Sequence, residues 1–135
     1  MIVGIGIDTV EIKRIRDATA RWPSFLERVF TPRERETLDL EKRSYKTAAR
    51  WAAKEALLKA LDAPRLGLTL GWKNIEVLSS DSGKPFFSLK GEWARLVESK
   101  RLRLHLSLSH DKERAMAFVV AEMVPRSRGL CLLGL

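Results

Sequence analysis

The chain has 135 residues, 45% of them hydrophobic and 31% charged, which suits one domain with little spare interior for a deep pocket of its own. Lysine and arginine total 25 against 17 aspartates and glutamates, and the resulting net charge of +8 points to an anionic substrate or partner. A lone cysteine, Cys131, excludes an intrachain disulfide or a multi-cysteine metal site, and no run approaches the ~18 apolar residues of a membrane span.

Residues 1–8 read as a strand. Alternation puts Met1, Val3, Ile5 and Ile7 on one face, and Ile2, Gly4, Gly6 and Asp8 on the other. Glycines in a strand mark close approach of another backbone or a ligand, and here they are expected to clear room beside the Asp8 carboxylate. Thr9 is the expected N-cap of a helix over 10–22, a basic segment that carries Lys13, Arg14, Arg16 and Arg21. Residues 24–30 add a short helical stretch containing Arg28. Thr31, Pro32 and Glu34 then form a capping box with proline at the first helical position, predicting a helix from there to about residue 40.

The Ala- and Leu-rich segment 44–61, free of Gly and Pro, is the strongest helix. A loop over 62–71 follows. Residues 75–78 and 85–89 form a hairpin around SSDSGK, and 92–100 a short helix. Leucines alternate with polar residues from 102 to 109, giving a half-buried strand; residues 110–114 turn the chain into a last, more apolar strand over 115–124. This order of helices and mostly antiparallel strands is α+β. The domain is placed at 1–124, with 125–135, basic and then apolar, as a tail.

The chemistry-bearing residues lie at the end of the first strand and on the long helix. Glu55 and Lys59, four apart, share a helix face that is otherwise small or apolar, with Ala48, Trp51 and Ala52 on or beside it. Such a pair also occurs as a plain surface ion pair. If the helix packs on the strand, however, Asp8 and Glu55 converge, and two carboxylates completed by water and phosphate oxygens make a Mg²⁺ site. Lys59 would face the same phosphates. Arg50 and Lys54 form a second row of cations that tolerate one another best with an anion over them.

Four segments, GIGIDTVEIKRI (4–15), RWAAKEALLKAL (50–61), SGKP (82–85) and LSLSH (106–110), together resemble the holo-acyl-carrier-protein synthase family, the small bacterial 4′-phosphopantetheinyl transferases. The resemblance runs from about residue 1 to 122. It implies that family's fold, a mostly antiparallel sheet packed by a long helix, and a homotrimer with sites between subunits. It also implies transfer of the phosphopantetheine arm of coenzyme A to a serine of an acyl carrier protein, with Mg²⁺ as cofactor and adenosine 3′,5′-bisphosphate as the leaving group. Asp8 and Glu55 would hold the metal, and Lys59 would hold phosphate and offset charge on the leaving group. Arg50, Lys54, Lys84, Pro85 and His110 would lie near the nucleotide and its phosphates. The family's docking helix falls on the first basic segment, so Arg14 and Arg21 are the expected contacts to an acidic carrier.

The chain departs from the family's pattern after Lys59. A Gly-Thr-Gly-like loop is replaced by LDAPRLGLTL (61–70), in which Asp62, Ala63 and Pro64 are not expected to reproduce a flexible glycine turn. Two other readings suit the charge or the carboxylates. One is a basic nucleic-acid-binding module, which lacks an aromatic RNA-binding strand, KH loop or zinc set; the other is a Mg²⁺-dependent phosphohydrolase. The transferase reading expects no nucleic-acid or membrane partner, and the single cysteine suits a reducing cytoplasm.

Overall fold

The structure, a computed structural model, describes residues 1–38, 44–67 and 71–126. In chain order the elements are β1 (Ile2–Glu11), α1 (Ile12–Arg21), α2 (Ser24–Val29), α3 (Pro32–Glu36) and α4 (Ser44–Ala60). A 3₁₀ turn (Trp72–Asn74), β2 (Ile75–Ser79), β3 (Pro85–Leu89), α5 (Gly91–Ser99), β4 (Leu102–His110) and β5 (Arg114–Met123) complete it. An antiparallel three-stranded sheet, β1-β5-β4, is covered on one face by α4, and β2-β3 form a separate hairpin. The α+β architecture expected from the sequence is the one found. Among the described residues no helix is long and apolar enough to cross a membrane.

The first strand is longer than its sequence suggests. Thr9, Val10 and Glu11 do not open a helix; they extend the ladder, opposite Met116, Ala115 and Arg114. Val10 is buried in the core, so pairing and burial together outweigh the capping preference of Thr9. Helix α1 starts two residues later than the Thr9 cap implied and lacks a side-chain cap. By contrast, Thr31 Oγ1 accepts from the Glu34 amide while Glu34 Oε1 accepts from the Thr31 amide, the predicted capping box. Helix α3 nevertheless ends at Glu36, and residues 39–40 of the longer helix expected there lie outside the described residues.

The long helix meets the sheet backbone to backbone. A Cβ on Gly6 would stand 1.9 Å from the Ala56 carbonyl oxygen, and one on Gly4 1.9 Å from that of Ala60. The glycines therefore make room for the helix, not directly for a ligand beside Asp8. The matching helix face is Ala52, Ala53, Ala56 and Ala60, all buried. Because β1 turns its glycines inward, alternation turns Val3, Ile5 and Ile7 outward, and these are exposed together with Met116 and Phe118 of β5. Ile7 pairs with Phe118, so this is one contiguous apolar face.

After α4 the chain turns tightly at Asp62 without a glycine. Asp62 takes the left-handed conformation, φ 50°, that glycine would otherwise supply, and the Ala63 amide donates back to Leu58 O at 3.0 Å. The remainder of the departing loop, 68–70, and the tail from 127 on, Cys131 included, lie outside the described residues.

Candidate active site

The short-chained face of α4 brings the helix within backbone contact of β1, and this approach delivers Glu55 to Asp8. Their carboxyl groups lie within hydrogen-bonding reach of one another. Burial, and then the neighbouring Asp8, pushes the Glu55 carboxyl above the ordinary glutamate range, while Lys59 and Arg14 pull it the other way. Lys59 Nζ donates to the Ile7 carbonyl at 2.8 Å and meets Asp8 Oδ1 at 3.2 Å. The Asp8 side chain is only 12% exposed and that of Lys59 56%, so the ammonium reaches from solvent onto a largely covered carboxylate. Among the described residues no third His, Cys, Asp or Glu joins the pair.

The carboxylates open into a cleft of about 710 Å³ between α1 and α4. Arg14 and Arg21 line it, as do Trp22, Phe25 and Trp51. Trp51 packs between Phe25, at 5.6 Å between ring centroids, and Trp72, at 4.8 Å. The Arg21 guanidinium lies 5.3 Å from the Trp22 ring centre. The two arginines expected to meet a partner thus border the cleft that holds the two carboxylates. The other basic residues of α1 are partly engaged: Lys13 with Asp17 at 2.7 Å, Arg16 with Ser44 Oγ at 3.0 Å.

The remaining predicted residues do not line this cleft. His110 stacks on Tyr45, with ring centroids 4.0 Å apart and planes 15° from parallel, in a groove it shares with Arg16 and Lys112. Lys84 and Pro85 line another groove with the exposed Phe86, Arg103 and His105. Arg50 is buried. It donates to Ser79 Oγ at 3.2 Å and to the Lys46 carbonyl at 3.4 Å, its Nε has no partner, and no carboxylate lies within ion-pair distance among the described residues. Burial pulls its guanidinium below the ordinary arginine range.

Lys54 departs from its expected role. It is fully buried, and its ammonium donates to Val29 O at 2.6 Å, Glu34 Oε1 at 2.8 Å and Trp72 O at 3.0 Å. All three donors of an ammonium are spent, so it has none left for a phosphate. Burial pulls the Lys54 ammonium down, with Glu34 and Glu76 opposing.

Tyr45 was not singled out from the sequence, because its partner His110 lies 65 residues away and on another element. The aromatic wall was visible only in part. Trp51 stands one turn before Glu55, on its face, but nothing local links it to Phe25 or Trp72.

A model of the 4′-phosphopantetheinyl transferase superfamily matches residues 4–119. The holo-[acyl-carrier-protein] synthase of Halothermothrix orenii is 44% identical over 125 residues, covering 90% of this chain and 98% of that protein. A solved structure described as a Chronobacterium ammoniagenes ACPS-CoA complex superimposes with a TM-score of 0.76 at 34% identity, covering 90% of this chain and 98% of that one. A Bacillus anthracis holo-(acyl-carrier-protein) synthase in complex with CoA (3′,5′-ADP) gives 0.70 at 37% identity, covering 92% and 99%.

Proposed function

The chain belongs to the 4′-phosphopantetheinyl transferase superfamily, and from that premise we propose that it moves the phosphopantetheine arm of coenzyme A onto a serine of an apo acyl carrier protein. The serine oxygen attacks the phosphorus that bears the arm, and the bond from that phosphorus to the nucleotide's phosphate breaks. Adenosine 3′,5′-bisphosphate leaves, and the serine proton passes towards the carboxylate pair. The observation that carries the reading is the meeting of Asp8 and Glu55 beside Lys59, in a cleft that Arg14 and Arg21 also line.

The donor set suits Mg²⁺. Two carboxylates held against their mutual repulsion favour a cation between them, and leave other positions to water and phosphate oxygens, as that ion prefers. Bound by Asp8 and Glu55, it would neutralise charge on the diphosphate and polarise the phosphorus. This chain's own residues supply position and charge, which phosphoryl transfer needs more than a covalent intermediate. Lys59 holds phosphate and offsets charge on the departing nucleotide. Arg14 and Arg21 bring the acidic face of the carrier to the mouth of the cleft, and the apolar wall excludes water from the reacting atoms.

His110, Lys84, Pro85 and Arg50 stand outside the cleft of their own chain, yet the family resemblance assigns them to the nucleotide. We read them as serving a neighbouring copy's carboxylates in a homotrimer. The exposed apolar face of Ile5, Ile7, Met116 and Phe118 supports that reading, since patches of this kind mark association surfaces. The Arg50 guanidinium, bonded to Ser79 and Lys46 but with no carboxylate partner among the described residues, is suited to an anion brought by coenzyme A.

Incubation with coenzyme A, Mg²⁺ and an apo carrier, followed by intact-mass analysis, tests the function. Gain of one phosphopantetheine is expected with the native chain, and none with Asp8→Asn. Near-normal transfer by that variant would sink the assignment, and release of free phosphate would point to hydrolysis instead.

A further inference from the structure

The buried Lys54 lies next to Glu55 in sequence and touches nothing in the cleft, yet two of its three acceptors belong to segments whose rings pack against Trp51 of the cleft wall. Val29 O closes α2, the helix that carries Phe25. Trp72 O belongs to the 3₁₀ turn whose indole packs on Trp51 with its plane tilted by 46°. Glu34 Oε1 belongs to the cap of α3, and the same carboxylate accepts the Val77 amide of β2 at 3.1 Å through Oε2. Trp51 sits between Phe25 and Trp72, one helical turn before Lys54. A single ammonium therefore ties to α4 both segments whose rings hold Trp51 in place.

We propose that Lys54 is a positioning residue for transfer: it sets the Phe25–Trp51 wall of the cleft that also holds the carboxylates, and makes no contact with phosphate. The inference rests on the transferase reading for its kinetic consequence, but its structural part does not. Removing the ammonium frees α2 and the 3₁₀ turn to shift against α4. The wall then moves while Asp8, Glu55 and Lys59, fixed by the glycine–alanine contact of β1 with α4, remain. Coenzyme A, gripped through its phosphates, should bind as before. The carrier serine and the arm would meet out of line, and a displacement of about 1 Å at such a distance costs on the order of a hundredfold in rate.

Lys54→Met alone leaves Glu34 as an uncompensated buried charge and endangers folding, so the test adds the double variant Lys54→Met with Glu34→Gln, which removes both charges. Two readouts are taken well below the melting temperature. One is the circular-dichroism couplet of the Trp51–Trp72 indole pair, defined by its loss in Trp51→Phe. The other is steady-state transfer with each substrate varied in turn. The expected result for the double variant is a collapsed couplet, kcat lower by about 10- to 100-fold, and a coenzyme A KM within about twofold of the native value. A coenzyme A KM that rises more than kcat falls, and that steepens in salt, would assign Lys54 to the phosphates and overturn the proposal. A native couplet with native kcat in a folded double variant would reduce Lys54 to a stabilising group and overturn it as well. Should the native chain transfer nothing, the transferase reading fails by itself, and the couplet still decides whether Lys54 sets the wall.

Discussion

Substituting Gly6 by alanine tests the contact on which the site is built. The added Cβ would lie 1.9 Å from Ala56 O and 2.8 Å from Ala60 N, both backbone atoms of a helix held by its own hydrogen bonds. Ordinary contact begins near 3.4 Å, so β1 and α4 must separate by 3.4 − 1.9 = 1.5 Å along that direction. Overpacking of this kind costs about 3 kcal/mol, with no flexible side chain present to absorb it. The same movement would carry Lys59 Nζ away from Ile7 O and Asp8 Oδ1, now 2.8 and 3.2 Å away, and would part the two carboxylates. Urea unfolding should show the loss of stability. Transfer measured by intact mass should fall by about a hundredfold or more at temperatures where the variant is folded. Gly67→Ala is the control. Its φ of +63° strains an alanine, but nothing lies within 4 Å of the added carbon, so about 1 kcal/mol of strain and native transfer are expected. A Gly6→Ala variant no less stable than Gly67→Ala, with native activity, would refute the close-approach argument.

Charge reversal at Arg14 and Arg21 together should raise the carrier KM by about tenfold and flatten its salt dependence, with the coenzyme A KM little changed; an effect confined to coenzyme A would move both arginines from the carrier to the nucleotide. Glu55 carries a raised proton affinity, so its charged form is the costly one in the fold. In metal-free protein its contribution to stability is therefore fullest below the ordinary glutamate pKa and is lost as pH rises through the raised value. Glu55→Gln should accordingly gain in Tm over the native chain, in chelator, on going from about pH 4 to about pH 8; a constant difference would contradict the shift. Asp8→Asn and His110→Ala, each impaired alone, should recover about a quarter of native transfer when refolded together in equal amounts, the share of sites that draw both intact residues from different copies of a ring. Failure of the mixture to exceed its components would place His110 in service of its own chain.

Much of the architecture was legible because its signals are local. The capping box at Thr31, the Gly- and Pro-free run of α4 and the leucine alternation of β4 each constrain a few consecutive residues, and each appears where expected. The boundary at Thr9 was misread because a capping preference of about 1 kcal/mol competes there with sheet pairing and burial of Val10, which lie in tertiary structure. The carboxylate pair was legible for a different reason. Two glycines alternating with Asp8, and a helix face of alanines around Glu55, each announce close packing, and either surface needs a partner like the other. Lys54 was misassigned by the same spacing logic. Four residues from Arg50, it reads as a second cationic row, and only the folded chain reveals the Glu34 carboxylate and two carbonyls that consume it. The left-handed turn at Asp62 belongs to the same class, since aspartate tolerates that conformation without announcing it.

The inverted polarity of β1 ties the site to the outer surface. Strand side chains alternate, so Asp8 reaches Glu55 only if positions 4 and 6 also face α4 and positions 3, 5 and 7 face away. The helix comes so close that 4 and 6 must be glycine, which leaves the strand's bulk, Val3, Ile5 and Ile7, on the side no element of this chain covers among the described residues. A slip of one residue would bury the isoleucines in the usual way, but it would also drive them into the Ala56 and Ala60 carbonyls and turn Asp8 outward. An apolar outer face and an inward carboxylate are thus two results of one register, and selection for the second carries the first with it. A chain built this way exposes an apolar strand face as a geometric consequence of forming its carboxylate pair. The proposed homotrimer would use that face, and His110, Lys84 and Pro85 are then sought at a neighbouring copy's carboxylates.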